Sequence, residues 1–293
     1  MATKSPRSKR SSKLSSSKLK SSKTKSSKRL KPWGKLGFLG KVWRVVWLLA
    51  VGLWALSVVL VLLYKFVNPP LTPLMVQRFF QQLGDSERVV NFERKYVPIE
   101  EISPNLITAV VYSEDGLFMY HHGYDVKQIK QSYLENKKGR RIRGGSTISM
   151  QTAKNAFLPH TRNYLRKAFE FYFTQMIEWV WGKKRIMEVY LNIIEYGDGI
   201  YGCEAASQHY FGHSCKQLSK REASQLAVSL PGPLKINPEK NGPYFRRQTQ
   251  VVMSRFSWGR VNIDMTKEQR EKRYSNQENL WDLMVWFLFH RND

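Results

Sequence analysis

Twenty consecutive residues, Val45 to Tyr64, carry no charge. A helix over this run, at about 1.5 Å rise per residue, spans the roughly 30 Å hydrocarbon core of a bilayer. Trp43 and Trp47 at one end and Tyr64 at the other suit the two membrane interfaces. A cleaved leader does not fit, because the run is too long, starts far from Met1 and has no small-residue cleavage site after it. The basic flank lies wholly on the N-terminal side. The expected topology is therefore a single-pass anchor with residues 1–44 in the cytoplasm and everything after Lys65 outside.

The anchor changes the meaning of the net charge of +25. Residues 1–44 hold 15 of the 48 Lys and Arg residues and no Asp or Glu, while the rest of the chain carries a net of +10. A Ser/Lys/Arg-rich tail has too little apolar surface to fold. It reads as an orientation signal that also contacts anionic lipid, in preference to a nucleic-acid arm, and no nucleic acid is expected as a partner. After the anchor, Asn68-Pro69-Pro70-Leu71-Thr72-Pro73 predicts a stiff connector, and Leu74 to Leu83 a short helix close to the membrane. Cys203 and Cys215 show no CxxC or Cys/His spacing, which argues against structural zinc. They read as two ordinary half-buried thiols; a disulfide is the alternative if this region lies outside the cytoplasm, but the sequence does not show that the sulfurs meet.

In the remaining domain, Ser103-Pro104 is a helix start. Ile107, Val110, Val111 and Glu114 then share one face at helical spacing. A carboxylate on an apolar face at a helix C-terminus is disfavoured by desolvation and by the helix dipole. Its pKa should rise toward the range that a general base or acid needs. An N-cap or ion-paired surface Glu is the plain alternative. Asp115, Phe118, His121, His122 and Asp125 follow at once, and the histidines read as positioning groups.

Residues 135–143 predict a mobile basic loop. In Arg143-Gly144-Gly145-Ser146-Thr147 the two glycines would let backbone approach a ligand, with Ser146 capping a helix to about Phe157. Thr147, Gln151, Lys154 and Asn155 form a polar stripe on that helix, and its N-terminus with a nearby lysine suits an anion; a capped surface helix with a solvated stripe is the plain reading. A further helix starts at Thr161 or Asn163, with Arg166 and Lys167 in its first turns and Glu170 among aromatics; an Arg166–Glu170 surface pair is the plain reading there. Helices follow over Lys183 to Glu195, Cys203 to Phe211 and Glu222 to Leu230. No strand pattern of similar strength appears, so the fold class is mainly α.

Five segments together resemble the peptidoglycan glycosyltransferase family, which includes monofunctional biosynthetic transglycosylases and the glycosyltransferase domain of class A penicillin-binding proteins. They are Ser113–Gly123, Gly144–Asn155, Arg166–Glu170, Lys184–Asn192 and Glu222–Ala227 with Leu230-Pro231. The resemblance implies a lysozyme-like helical glycosyltransferase domain behind the anchor, in the bacterial cytoplasmic (inner) membrane. It implies lipid II and a growing lipid-linked glycan chain as substrates, with cell-wall synthesis proteins as further partners.

By the same resemblance the catalytic residues are Glu114 and Glu170. Glu114 would take the proton from the acceptor sugar hydroxyl, and Glu170 would organise the cations or a divalent metal. Lys154, Arg166 and Lys167 would hold the pyrophosphate. Asp115 would support Glu114, Phe118 and His121 would shape the cleft, and Gly145, Ser146, Thr147, Gln151 and Asn155 would contact the donor side. No cofactor is required, though a divalent cation (Mg or Mn) is compatible. Met150 stands where the family commonly has glutamine.

The expected domains are a disordered basic cytoplasmic tail (1–44), a transmembrane helix (45–67), a membrane-proximal connector (68–95), the glycosyltransferase domain (96–260) and a C-terminal extension with an apolar helix (261–293). About fifty residues follow Pro243, too few for a transpeptidase domain, so a monofunctional enzyme is expected. Two other classes share some of these features. A lysozyme or lytic transglycosylase also uses a glutamate in a helical fold, and a membrane-tethered scaffold also carries a basic tail.

Overall fold

The computed structural model describes residues 37–85, 90–137, 144–161 and 163–273, together with Leu283 and Trp286. The basic tail, most of the predicted 135–143 loop and most of the apolar segment 279–290 lie outside the described residues. The chain divides into two units between Leu53 and Trp54.

Helix α1 covers Phe38–Tyr64 and starts seven residues before the uncharged run. Among the described residues it is the one helix long and apolar enough to cross a membrane. Within it only Val61 is buried, so its apolar side chains face outward all round. Its last carbonyls have no helical partners. Trp181 Nε1–H donates to Val61 O at 2.7 Å, and Arg185 donates to Tyr64 O at 2.9 Å and Val67 O at 3.0 Å. The Tyr64 ring stacks on Phe157 at 5.7 Å. These last turns of α1 belong to the second unit and are held within it through their own unsatisfied backbone.

Helix α2, Pro73–Leu83, begins as the prolines dictate. Thr72 is its N-cap, accepting from Met75 N–H, and Pro73 opens the first turn. A small sheet follows: β1 (Glu93–Arg94), β2 (Glu195–Gly197) and β3 (Ile200–Tyr201), in the order β1-β3-β2. β1 runs parallel to β3, pairing Glu93 with Ile200, and β2 runs antiparallel to it, pairing Glu195 with Tyr201. Strands of two or three residues are too short to show a period-two pattern, so periodicity carries no sign of them. Glu195, expected at a helix end, instead opens β2.

The helices are α3 (Pro104–Glu114), α4 (Val126–Lys137), α5 (Ile148–Phe157), α6 (Tyr164–Val180), α7 (Gly182–Ile193), α8 (Cys203–Phe211), α9 (Lys220–Ser229), α10 (Pro243–Ser254) and α11 (Lys267–Arg273). This confirms the mainly α class. α7 is the centre: Ile186, Met187, Val189, Tyr190, Leu191 and Ile193 are fully buried. Burying each such aliphatic side chain contributes about 1.5–3 kcal/mol. α5 packs on α6 and α7, while α3 packs on α9, which packs on α10.

Two caps match their sequence signatures. Ser103 accepts from Asn105 N–H at the start of α3, and Ser219 with Glu222 forms a reciprocal capping box on α9. One cap differs. Thr147, rather than Ser146, caps α5, accepting from Met150 N–H at 3.2 Å. Of the C-terminal apolar segment, Leu283 is buried and the Trp286 ring meets Tyr133 of α4 edge-on at 5.6 Å.

Candidate active site

The site begins where α3 stops. Glu114 is the last residue of α3, and Asp115 caps its C-terminal end. Asp115 is buried, so its charge needs partners. Its Oδ2 accepts from Ile148 N–H at 2.9 Å, the first residue of α5, and from His121 Nε2 at 2.8 Å. His121 Nδ1 accepts from Gly123 N–H at 3.0 Å, so Nε2 is the nitrogen that carries the ring's N–H toward Asp115. Gly123 sits at φ +96°, and its missing Cβ would meet Thr174 Cγ2 at 2.9 Å, so only glycine makes this turn. Burial raises the pKa of Asp115. His121 and the Ile148 N–H outweigh that and hold it below the usual aspartate range. Asp115 is therefore a charged rivet between the end of α3 and the start of α5.

That rivet places Gln151 and Lys154 of α5 opposite Glu114. Gln151 Nε2 donates to Glu114 Oε2 at 2.8 Å, and Gln151 Oε1 accepts from the Tyr190 hydroxyl at 3.2 Å. Glu114 is half-buried in the wall of a cleft lobe of about 820 Å³, also lined by Tyr112, Ser146, Lys154, Arg255 and Trp258. Burial raises its pKa, as does the Asp115 charge, while the Gln151 hydrogen bond and Lys154 pull it down; the net direction is up. A carboxylate so placed holds a proton more readily than an ordinary glutamate, the direction that general base or acid chemistry calls for.

The Tyr190 hydroxyl fixes which end of the Gln151 amide faces Glu114. Without it the amide can flip and turn Oε1 toward the carboxylate, a repulsive contact. Tyr190→Phe is expected to move the acid limb of the activity profile upward by about half a unit to one unit, with KM little changed. A variant with lower activity and an unmoved limb would leave Tyr190 a packing residue only.

A second lobe of about 450 Å³ adjoins the first, and Gln151, Lys154, Leu230 and Pro231 line both. Arg78 from α2, Lys154 and Lys235 make it cationic, while burial and the nearby Lys154 and Arg78 lower the pKa of His160 to about 4 and keep it neutral. Arg78 Nε also bonds Glu195. Lys154 Nζ makes no direct bond to another side chain among the described residues. Burial and the nearby Arg166 and Lys167 lower its pKa, opposed by Glu170 and Glu114. Asn155 is 3% exposed, and its Oδ1 has no hydrogen-bond partner among the described residues.

Several predicted site residues lie behind the walls of these two lobes. Glu170 is buried, and its oxygens accept from Arg166 at 2.7 Å and Lys167 at 2.6 Å. None of the three lines either lobe, so they back up Lys154 and form no part of the cleft wall. With both oxygens taken by cations, Glu170 does not fit a metal ligand, and no group of three or more His, Cys, Asp or Glu suited to a metal occurs among the described residues.

Thr147 is fully buried, its hydroxyl donating to Gly123 O at 2.6 Å, so it is a cap and tether with no face to a substrate. Phe118 is also fully buried, under Lys183 Nζ at 4.7 Å from the ring centre. Phe118 and His121 therefore support the cleft from beneath and do not line it. His122 is exposed. The Gly145 backbone approaches α4, since a Cβ there would meet Ile129 Cα at 3.3 Å; Gly144 lines the cleft. Met150 is buried, so the glutamine it replaces costs this cleft no visible contact.

Sequence reasoning missed Tyr190, Arg78, Arg255 and Trp258. Tyr190 stood in an apolar stripe, yet a buried tyrosine hydroxyl needs a partner, and that was the available signal. The other three reach the cleft only through tertiary packing.

A model of the transglycosylase family matches residues 81–257. A biosynthetic peptidoglycan transglycosylase of Caulobacter vibrioides is 48% identical over 195 residues, covering 67% of this chain and 82% of the relative. Proteins of the same name from Rhodospirillum centenum and Bacteroides thetaiotaomicron are 45% and 41% identical, covering 70% and 72% of this chain and 87% and 86% of the relatives. The match takes in the Asp115 rivet and most of both cleft lobes, with Leu74, Arg78 and Trp258 outside it, and the chain belongs to the transglycosylase family.

Proposed function

We propose that this protein is a membrane-anchored peptidoglycan glycosyltransferase that polymerises lipid II. The observation that carries the reading is the pairing of a raised-pKa carboxylate, Glu114, with a cationic lobe across a shared wall at Lys154. Glu114 takes the proton from the 4-hydroxyl of the acceptor sugar in the larger lobe. That oxygen attacks the anomeric carbon of the lipid-linked donor with inversion. Undecaprenyl pyrophosphate leaves, its charge met by Lys154 with Arg78 and Lys235 in the smaller lobe. Glu170 fixes Arg166 and Lys167 behind Lys154, which keeps the local field positive. Asn155 lines the same lobe, its Oδ1 without a hydrogen-bond partner among the described residues.

The anchor gives the reaction its geometry. A polyprenyl-linked substrate stays in the outer leaflet, so an enzyme tethered in the cytoplasmic (inner) membrane meets it by lateral diffusion. The tail is cytoplasmic and the domain extracytoplasmic, with boundaries near residues 44, 67, 95 and 260. Other cell-wall synthesis proteins are natural partners of such an enzyme.

The test is incubation of the purified full chain with lipid II and, separately, with finished sacculi. Glycan strands growing from lipid II support the reading. Release of muropeptides from sacculi with no growth from lipid II would replace it with a lytic enzyme.

A further inference from the structure

The two cysteines of this chain lie in one place. Cys203 opens α8 and Cys215 opens a single 3-10 turn, twelve residues later. Both are fully buried, and their sulfurs sit 3.6 Å apart, in van der Waals contact. Rotation of the two side chains, with little backbone movement, brings such a pair to bonding distance.

The corner they share supports the site from the far end of α3. Cys215 O accepts from Ser103 N–H at 3.2 Å, and Ser103 is the N-cap of α3. The Ser103 hydroxyl and the Asn105 amide both donate to Leu218 O. From α8, Glu204 Oε2 accepts from Cys215 N–H at 2.8 Å and from the Ser214 hydroxyl at 3.1 Å. Noncovalent bonds thus already draw α8, the 213–218 corner and the base of α3 together where the sulfurs touch.

We propose that Cys203 and Cys215 form an intramolecular disulfide in the mature protein, a covalent clamp at the foot of the helix that carries Glu114. The inference rests on the extracytoplasmic placement proposed above, since that compartment oxidises thiols. The oxidant is a disulfide donor. One cysteine thiolate attacks the donor's S–S bond and releases one donor thiol. The other cysteine then displaces the second donor thiol from the mixed disulfide, leaving Cys203–Cys215 bonded and the donor reduced to two thiols. The contact with the Cys203 sulfur, and then burial, push the Cys215 thiol up in the folded protein, and both sulfurs are closed to solvent. Exchange therefore takes place before this corner packs.

The chain contains two cysteines, so thiol counting is unambiguous. Full-length protein is taken from acid-quenched membranes, denatured, and alkylated with a maleimide–polyethylene glycol reagent, with and without prior reduction. The proposal expects no addition before reduction and two after. It also expects reduction to lower the Tm of the wild-type chain by about 5–10 °C and to leave Cys203→Ser/Cys215→Ser unmoved. External protease on spheroplasts reports placement separately. Two free thiols in a domain the protease digests overturn the pairing and leave the placement standing. Two free thiols in a protected domain overturn both, and a reducible dimer on a non-reducing gel overturns the intramolecular bond.

Discussion

Glu114→Gln is expected to reduce polymerisation of lipid II by about 10³-fold or more while the protein stays folded. Glutamine keeps the shape and the approach to Gln151 but has no site for the sugar proton. The same change is expected to leave the Tm unchanged or to raise it. Burial raises the pKa of Glu114 in the folded state, so its ionised form is disfavoured by folding above the ordinary glutamate range, and that penalty disappears as pH falls below it. Removing the charge removes the penalty. Loss of activity together with loss of stability would contradict this, because it would make Glu114 a structural acid. A conventional melt and a gel assay of glycan strands on the same preparation separate the two.

Asp115→Ala should have the larger structural effect. It strips the acceptor from His121 Nε2 and from the Ile148 N–H, both buried. Breaking a buried charged network from one side costs about 3–5 kcal/mol. At about 2–4 °C per kcal/mol for a domain of this size, the Tm should fall by roughly 10 °C. Activity should fall with it, since α5 loses the contact that sets Gln151 and Lys154 against Glu114. Asp115→Asn should lie between, because an amide oxygen still accepts from one of the two N–H groups while its NH₂ opposes the other. The linkage has the opposite sign to that of Glu114. Asp115 has a depressed pKa, so its contribution is present above the ordinary aspartate value and is lost as pH falls through the folded one. An alanine variant that melts within about 2 °C of wild type would remove the rivet from this account.

Much of the fold was legible because it rests on local signals. The anchor is composition and length, Ser103-Pro104 is a cap with a proline behind it, and the carboxylate of Glu114 stood out because it broke an apolar face. The links between elements were not legible. Asp115 and Ile148 are 33 residues apart, and nothing in either neighbourhood announces the bond. The cap on α5 was read one residue early because Ser146 and Thr147 are both good N-caps, and only packing shows that the Thr147 hydroxyl is needed at Gly123 O. That shift turns Thr147 from a donor contact into a support. Lys183, the first residue of a helix expected over Lys183 to Glu195, is buried with Glu178 at 2.6 Å and sits over the Phe118 ring, a pair that periodicity cannot show. The cationic lobe was placed on Arg166 and Lys167 by resemblance. Packing turns those two inward to Glu170 and brings Arg78 in from the connector helix.

The central claim is that one carboxylate with a raised pKa, Glu114, takes the proton in strand polymerisation. The direct measurement is the pH dependence of kcat/KM on lipid II for wild type and Glu114→Gln. A base works only when ionised, so activity should fall by one proton as pH drops through a value above the ordinary glutamate range, and the residual activity of the glutamine variant should lack that limb. A wild-type limb at or below the ordinary glutamate range, or the same limb in the variant, would contradict the claim.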